Sequence, residues 1–206
     1  MQIECISHGL IQSNIYIVSN QGQAVVIDCG CTPDKILAIS EKMSLELKYV
    51  ILTHGHFDHI YYLDDLRQKT NVQVCIHEQD AKSFSDPFSN GLALFPVKGN
   101  ITFDPPDCVL KDGDCLECGG LQFHIIHTPG HSKGGICIHV ENALFTGDTL
   151  FRDSIGRTDL PGGSMYEITN AIRNKLFCLP EETVVYPGHG EPSTIGYEKN
   201  HNPYFR

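Results

Sequence analysis

Apolar and polar positions along the chain fall into short runs that predict a strand-rich protein. Apolar runs at 14–18 (NIYIV) and 24–28 (AVVID), separated by an Asn-Gln-Gly turn, predict a β-hairpin. A Thr-Pro-Asp sequence is typical of a helix start, and apolar residues at near-helical spacing follow it, so we expect a helix from about Pro33 to Ser44. The chain therefore opens with a hairpin followed by a helix.

Strands and helices alternate in both halves of the chain. The run KYVIL predicts a buried strand before a histidine-rich loop, YYLDDLRQKT predicts a helix, and the next strand is expected from Val72 to Ile76. Further strands are predicted at CVL, CLEC, LQFHIIH, GICIHV, ALFTG and TVVYP, with a helix from about Ser164 to Cys178. Strand-then-helix units in both halves favour a single α/β (α+β) domain over residues 1–206, with two sheets packed together and helices outside.

The segment at 84–106 differs from the rest of the chain because it carries four prolines and many turn residues. This composition predicts a long surface excursion rather than a linker between domains. Two hypotheses remain open for it: a lid over a cleft, or a contact between subunits.

An apolar strand followed by a loop with His or Asp occurs four times, as VILTHGHFDH, FHIIHTPGH, ALFTGD and VVYPGHG. A strand end is a rigid position from which to aim a side chain, and several such loops at one sheet edge build a shared cleft. The candidate ligands are His54, His56, Asp58, His59, His131, Asp148 and His189. Seven such residues suit two metal ions.

The residue types in these loops indicate which metals to expect. Imidazoles and carboxylates bind Zn, Mn or Fe, whereas Mg and Ca prefer oxygen ligands alone. Two neighbouring cations would lower the pKa of a shared water and polarise a carbonyl or phosphoryl oxygen, which is metal-assisted hydrolysis. Taken singly, the Gly-His pairs are also compatible with turns and Asp148 with a cap. The occurrence of all four loops in matching contexts favours the metal site.

Composition excludes several classes of partner. The net charge of -10, without a basic run, argues against nucleic-acid binding. No basic leader and no run of about 20 apolar residues is present, so we expect a cytoplasmic location and no membrane span. Nine cysteines without a secreted spacing indicate reduced thiols. The lone CxxC at Cys115 and Cys118 is interpreted as part of a β-hairpin rather than as a redox pair or a zinc knuckle.

The motifs THGHFDH, TPGH, TGD and PGHG, in this order, resemble those of the metallo-β-lactamase superfamily. The resemblance implies a four-layer αββα sandwich of two mixed sheets with a dinuclear site at one edge. It assigns His54, His56 and His131 to one ion, Asp58, His59 and His189 to the other, and Asp148 to a bridge between them. Zinc is the expected metal, with iron or manganese as alternatives, and Asp58 is also expected to orient the attacking hydroxide.

A narrower resemblance concerns the segment GRTDLPGGS at 156–164, which is similar to that of short, single-domain glyoxalase II-like hydrolases. The helical domain that binds glutathione in full-length members is not expected, because about 17 residues follow His189. Arg157 is either a ligand for a substrate carboxylate or a partner of Asp159 that supports the site. Tyr61 is either a substrate contact or a helix residue that packs on a sheet.

The resulting hypothesis is a thioesterase that hydrolyses S-lactoylglutathione or a related hydroxyacyl thioester, a small-molecule substrate, with metal-bound hydroxide as the nucleophile. A thiolate leaves readily, so no protein acid is required. One alternative is a persulfide dioxygenase with a single iron held by two histidines and an aspartate. Other hydrolytic activities, on lactones, phosphodiesters or β-lactams, remain open. A binding module on an inactive scaffold is disfavoured because no candidate ligand is missing, and the sequence leaves the oligomeric state open.

Overall fold

Two six-stranded sheets stack face to face in the computed structural model, which describes residues 1–8, 11–94 and 102–206. The first sheet contains, in spatial order, β1 (Gln2–His8), β2 (Ser13–Asn20), β3 (Gln23–Ile27), β4 (Glu46–Ile51), β5 (Gln73–His77) and β6 (Cys108–Leu110). The second contains β14 (Ser193–Thr194), β13 (Val184–Pro187), β10 (Ala143–Gly147), β9 (Ile136–Val140), β8 (Leu121–His127) and β7 (Cys115–Cys118). A separate hairpin pairs β11 (Leu150–Phe151) with β12 (Ser154–Ile155).

Both sheets are mixed. Strands β3 to β6 run parallel to one another, whereas β1, β2 and β3 are joined by antiparallel pairing. In the second sheet, β10 and β13 are parallel and the other pairs are antiparallel. The parallel pairs require crossover connections. α-Helices provide them for β3–β4, β4–β5 and β10–β13, whereas the described part of the β5–β6 connection contains only short 3-10 turns.

Helices cover the outer faces of both sheets. They are α1 (Pro33–Lys42), α2 (Phe57–Ile60), α3 (Leu63–Lys69), α4 (Met165–Ala171), which continues as a π-helical segment (Ile172–Leu176), and α5 (Ile195–His201). Local sequence sets their starts: Pro33 occupies the first turn of α1, and the side chains of Ser164 and Thr194 accept hydrogen bonds from the backbone N–H groups of Glu167 and Tyr197.

Three apolar cores separate the four layers. Between the sheets, residues such as Val25 and Ile51 pack against Phe123 and Phe145. On the outer face of the first sheet, strand residues pack against Ile36 of α1 and Leu66 of α3. On the outer face of the second sheet, they pack against Ile168, Ile172 and Ile195. The αββα prediction is therefore confirmed.

Most predicted elements are present, with small differences. The first helix ends at Lys42 rather than Ser44, because Ser44 adopts a left-handed conformation with φ 54°. The CxxC pair lies in the β7–β8 hairpin as expected, and Gly119 and Gly120 form its turn with positive φ. Strand β1, the short strands β11, β12 and β14, and helix α5 were not predicted.

The proline-rich excursion is described only in part. Residues 84–94 include a helical turn at Leu92–Leu94, in which Leu92 is buried and Leu94 exposed. Residues 95–101, on which the lid and subunit-contact hypotheses also depend, lie outside the described residues. Within the described part of the chain, every helix is too short or too polar to cross a membrane.

Candidate metal centre

The histidine-rich loop begins where β4 ends and continues into the short helix α2. His54 and His56 precede the helix, whereas Asp58 and His59 lie within it, so their side chains point in different directions from one short segment. All four are buried, with exposures from 0% to 6%. Burial of four titratable side chains lowers the stability of the fold unless a ligand or a hydrogen-bond partner compensates each of them.

Three imidazoles converge to form the first donor group. His56 Nδ1 lies 2.8 Å from His131 Nε2, and His131 Nε2 lies 3.3 Å from His54 Nε2. Two nitrogens bound to one tetrahedral zinc ion would be about 3.3 Å apart, given Zn–N distances of about 2.0–2.1 Å. The loop after β8 supplies His131, so the group unites segments from both sheets.

A second donor group lies beside the first. Asp58 Oδ2 is 3.1 Å from His59 Nε2 and 3.2 Å from His189 Nε2. His189 comes from the loop after β13, and its side chain, 25% exposed, forms the open side of the group. Each group offers at least three ligand atoms that lie within 4.8 Å of one another.

Asp148, which follows β10, links the two groups with its two carboxylate oxygens. Its Oδ1 lies 3.4 Å from His59 Nε2 and 3.6 Å from His189 Nε2, while its Oδ2 lies 3.5 Å from His131 Nε2. This position matches the bridging role that the sequence resemblance implies. All seven predicted ligands thus converge at one edge of the sandwich.

Hydrogen-bond accounting indicates that this cluster is built for cations. Among the described residues, three buried side-chain atoms have no hydrogen-bond partner, and all three belong to it: Asp58 Oδ2, His59 Nε2 and Asp148 Oδ1. Orphaned polar atoms are rare in protein interiors, and a bound ion is one explanation for them. The donor types, neutral nitrogens and carboxylate oxygens, suit zinc or iron.

The protonation states also fit cation binding. Burial and neighbouring imidazoles lower the pKa of His54 well below its usual range, and burial lowers the pKa of His56 to about 3. Burial opposes ionisation of Asp58, yet contact with the surrounding histidines, His59 foremost, leaves its pKa below the ordinary value, and the same balance holds for the pKa of Asp148. The first group therefore presents lone pairs, and the two aspartates present negative charge.

In the second group the surrounding carboxylates favour the protonated form of both histidines. Burial lowers the pKa of His59, but the carboxylates of Asp58, Asp28 and Asp148 outweigh it and raise that pKa well above its usual range. The pKa of His189 is raised in the same way, by Asp58 and Asp148 against burial. A metal ion at this group would have to displace these protons.

The far nitrogen of several rings is fixed by a second hydrogen bond. His59 Nδ1 lies 2.8 Å from Asp28 Oδ2, and His131 Nδ1 lies 2.9 Å from the backbone oxygen of Arg157. His54 Nδ1 lies 3.1 Å from Thr53 Oγ1. Such partners orient a ligand ring and select its tautomer.

Asp28 is a supporting residue that the sequence interpretation missed. Its carboxylate accepts hydrogen bonds from Thr53 N and Thr53 Oγ1, both at 2.8 Å, in addition to its contact with His59. It lies directly after the run AVVI, which is the same strand-end context as the predicted ligands. That context could have identified Asp28.

Asp80 is a second missed residue, and it connects the two ligand-bearing loops. Its oxygens accept from Gly55 N at 3.1 Å, Ser132 Oγ at 2.6 Å and Gly134 N at 2.7 Å. The carboxylate thereby holds the loop of His54 against that of His131. No local sequence signal marks this residue, because its partners lie 25 to 54 positions away.

Close packing around Asp148 requires a residue without a side chain at position 188. A Cβ atom on Gly188 would lie 2.3 Å from Asp148 Oδ1 and 2.9 Å from His59 Cε1. The Asn14 side chain also steadies this loop, because its amide donates to the backbone oxygens of Pro187 and Gly190. The TVVYPGHG motif thus needs a glycine at position 188 for space, whereas Gly190 has a positive φ of 76°.

A cavity of about 100 Å³ opens beside the cluster. Its walls combine ligand residues with the apolar side chains of Ile11, Phe57, Leu94 and Leu160, and Arg157 also lines it. The Arg157 guanidinium pairs with Asp159 through two contacts of 2.7 Å, and both side chains are exposed. The pairing predicted as one alternative is therefore present, and the backbone of Arg157 supports His131.

Tyr61 does not line this cavity. It is half-buried, packs against the outer core of the first sheet, and meets the Tyr62 ring edge to face at 5.1 Å. The placement of the ring agrees with the packing alternative, and the substrate contact of Tyr61 stays a prediction. Tyr61 directly follows α2, whose inner face carries Asp58 and His59.

Comparison with known proteins relates this geometry to a family. Residues 8–189 match the model of the metallo-beta-lactamase superfamily. A "Probable metallo-hydrolase YqgX" of Bacillus subtilis is 34% identical, with coverage of 95% of this chain and 93% of that protein. Hydroxyacylglutathione hydrolase GloC of Haemophilus influenzae is 33% identical over 207 residues, with coverage of 99% of this chain and 98% of that protein.

Solved structures give the same result for the fold. The crystal structure of BLEG-1 B3 metallo-beta-lactamase superposes with a TM-score of 0.93 at 37% identity, and the match covers 99% of both chains. The crystal structure of TTHA1623 in a di-iron-bound form superposes with a TM-score of 0.81 at 33% identity, covering 98% of this chain and 99% of that one.

Proposed function

This chain belongs to the metallo-beta-lactamase superfamily, and from that premise we propose that it is a dinuclear metal-dependent hydrolase that acts on a thioester such as S-lactoylglutathione. The observation that carries the proposal is the position of Asp148, whose two oxygens face the two donor groups. Divalent ions held there would lower the pKa of a water and polarise a carbonyl oxygen. Zinc fits the donor set, and iron is the alternative that the di-iron relative supports.

Protein groups then position the reactants. Asp58 Oδ2 faces the second donor group, and the lowered pKa of Asp58 makes its carboxylate a weak base. We therefore assign Asp58 to holding an ion and to orienting a water by accepting a hydrogen bond from it. The apolar walls beside the cluster receive the acyl group and exclude bulk water from it. The thiolate leaves without protonation by the protein, and no additional acid is therefore assigned.

The choice of a thioester is supported by GloC, which is named for hydrolysis of hydroxyacylglutathione and aligns over nearly all of this chain. The likeness to BLEG-1 supports a second candidate, hydrolysis of a β-lactam, with the same metal centre. The two substrates differ in the leaving group, a thiolate in the first and an amine in the second. An amine needs a proton to leave, and the described residues around the cavity provide no uncommitted acid for it.

The test compares substrates on purified protein of known metal content. We expect S-lactoylglutathione to be hydrolysed, activity to disappear on chelation, and zinc or iron to restore it. Nitrocefin would measure the β-lactamase alternative, and oxygen consumption with glutathione persulfide would measure dioxygenation. Metal-dependent turnover of nitrocefin, a lactone or a phosphodiester without turnover of any thioester would refute the thioesterase proposal.

A further inference from the structure

A second cavity, of about 170 Å³, lies between the loop after β5 and the loop that carries His131. Lys82 and Ser83 line it from the first loop, and Ser132 and Lys133 line it from the second. Both serines are buried, at 5% and 6% exposure. The metal cluster contributes none of its ligands to this cavity, which is therefore a separate site.

The two lysines place positive charge at this cavity in an acidic protein. The chain has a net charge of -10, and other lysines, such as Lys69 and Lys175, make ion pairs. Among the described residues, Lys82 and Lys133 make no ion pair and donate no side-chain hydrogen bond. The stem of Lys133 lies against Gly162, where an added Cβ would be 3.1 Å from Lys133 Cγ.

Two acidic groups lie near these lysines, and both are already engaged. Asp80 also lines the cavity, but its oxygens accept three hydrogen bonds from Gly55, Ser132 and Gly134. Asp86, whose pKa Lys82 helps to lower after hydrogen bonds from Ser89 and Phe88, directs its oxygens to those two residues. The Ser83 hydroxyl, by contrast, has no partner within the described part of the chain. Two cations and a free hydroxyl therefore face the cavity.

This second cavity and the cavity of about 100 Å³ beside the metal cluster, here called the catalytic cleft, are lined by neighbouring residues of the same loops. Ser132 and Lys133 directly follow the ligand His131, and Leu160 lines the cleft while Gly162 lines the second cavity. Likewise, Ser89 lines the second cavity and Asn90 lines the cleft. A substrate that places its reacting carbonyl at the metals can therefore extend past this loop into the second cavity.

We propose that this cavity binds an anionic group, a carboxylate or a phosphate, on the thiol-bearing part of the substrate. The proposal rests on the thioesterase function proposed above. Lysines bind such groups as point charges, and a serine hydroxyl adds one directional hydrogen bond. The apolar cleft would then select the acyl group, and the lysines would select the charge of the leaving group.

The experiment uses the double variant Lys82→Met/Lys133→Met of the metal-loaded protein and three thioesters with one acyl group. S-lactoylglutathione carries carboxylates, S-lactoyl-coenzyme A carries phosphates, and S-lactoyl-N-acetylcysteamine is neutral. We expect kcat/KM to fall by about tenfold, mainly through KM, for the anionic ester whose charged group the cavity binds, as expected for the loss of two exposed charges. The value for the neutral ester should not change.

A matched control is Lys35→Met/Lys42→Met, which removes the same charge from two exposed lysines of α1. It should leave all three substrates unaffected, so that an effect of net charge is excluded. The glutathione and coenzyme A arms identify whether a carboxylate or a phosphate is bound. Equal values for wild type and the lysine variant, or equal losses on the neutral and the anionic esters, would overturn the proposal.

Binding of S-methylglutathione, a thioether that cannot be hydrolysed, separates this inference from the thioesterase function. If the wild type hydrolyses no thioester but binds this probe in calorimetry, and the lysine variant binds it about tenfold more weakly, the thioesterase proposal fails and the anion site stands. If thioesters are hydrolysed but neither S-methylglutathione binding nor kcat/KM responds to the lysines, the anion site fails and the thioesterase stands.

Discussion

Replacement of Asp28 by Asn tests whether a hydrogen bond outside the metal cluster controls the ligand state of His59. Asp28 Oδ1 accepts from Thr53 N, while Oδ2 accepts from Thr53 Oγ1 and lies 2.8 Å from His59 Nδ1. If the new amide keeps its oxygen toward Thr53 N, its NH₂ group faces His59 Nδ1. The ring then has to accept at Nδ1, so its proton moves to Nε2, the atom that faces the cluster.

The expected cost is a loss of affinity at the second donor group. Loss of such a supporting partner lowers metal affinity by about 10- to 100-fold, or roughly 1.4–2.7 kcal/mol. Asn is the appropriate replacement because residue 28 has φ 63°, a left-handed conformation that Asn tolerates better than most residues. The backbone should therefore keep its course, and the effect should lie in the side chain.

The assay is competition for zinc against a chromophoric chelator, with metal counted per chain. Wild type should bind two ions, whereas Asp28→Asn should retain the first and lose affinity for the second. Asp107→Asn is the control, because Asp107 accepts from the backbone N–H of Val74 and from Arg67 at a site that contacts no ligand ring. Thermal unfolding of the metal-free proteins checks that both variants fold. Wild-type affinity for both ions in Asp28→Asn would refute the tautomer argument.

Three further predictions concern the packing of Gly188 against Asp148, the role of Tyr61, and proton release on zinc binding. Gly188→Ala should lower kcat by at least about 100-fold and reduce metal content, because its Cβ would lie 2.3 Å from Asp148 Oδ1; wild-type kcat with two metals would contradict this. Tyr61→Phe should leave kcat/KM within about twofold, because the ring packs on the core; a large rise in KM would support the substrate contact instead. Zinc uptake by the metal-free protein should release protons, because a bound ion replaces the protons on His59 and His189. The number released should fall as the pH rises through the raised pKa values of these two histidines. Unbuffered titration measures the release, and zinc uptake without any release would show that both rings are already neutral.

The ligand-bearing loops could be predicted because strand ends concentrate chemistry at one edge of a sheet. His54, His131, Asp148 and His189 each follow an apolar run, and a buried strand is visible from such a run alone. The parallel pairing of β10 with β13 brings the loops of Asp148 and His189 to the same edge. A local pattern was therefore sufficient to predict a non-local cluster.

Elements at the margins of the sheets gave weaker patterns. Strand β1 is an edge strand with five of its seven residues exposed, so QIECISH shows no regular alternation of buried and exposed positions. Helix α5 is short, and it is anchored by polar contacts rather than an apolar stripe: buried Glu198 accepts from Asp153 N and from the Asn202 side chain. Neither element presents the hydrophobic period on which sequence prediction depends.

The supporting carboxylates show why a motif does not determine a site completely. Asp28 and Asp80 belong to neither donor group, yet each satisfies three donors that would otherwise be buried without a partner. Their partners come from different loops, so their roles depend on the folded topology and not on neighbouring residues. The same topology places Ser132 between the ligand His131 and the cavity of Lys133, with Asp80 holding its hydroxyl. Replacement of Asp80 is therefore expected to weaken both metal binding and anion binding, because Asp80 contacts both loops. Replacement of Asp28 should weaken metal binding alone.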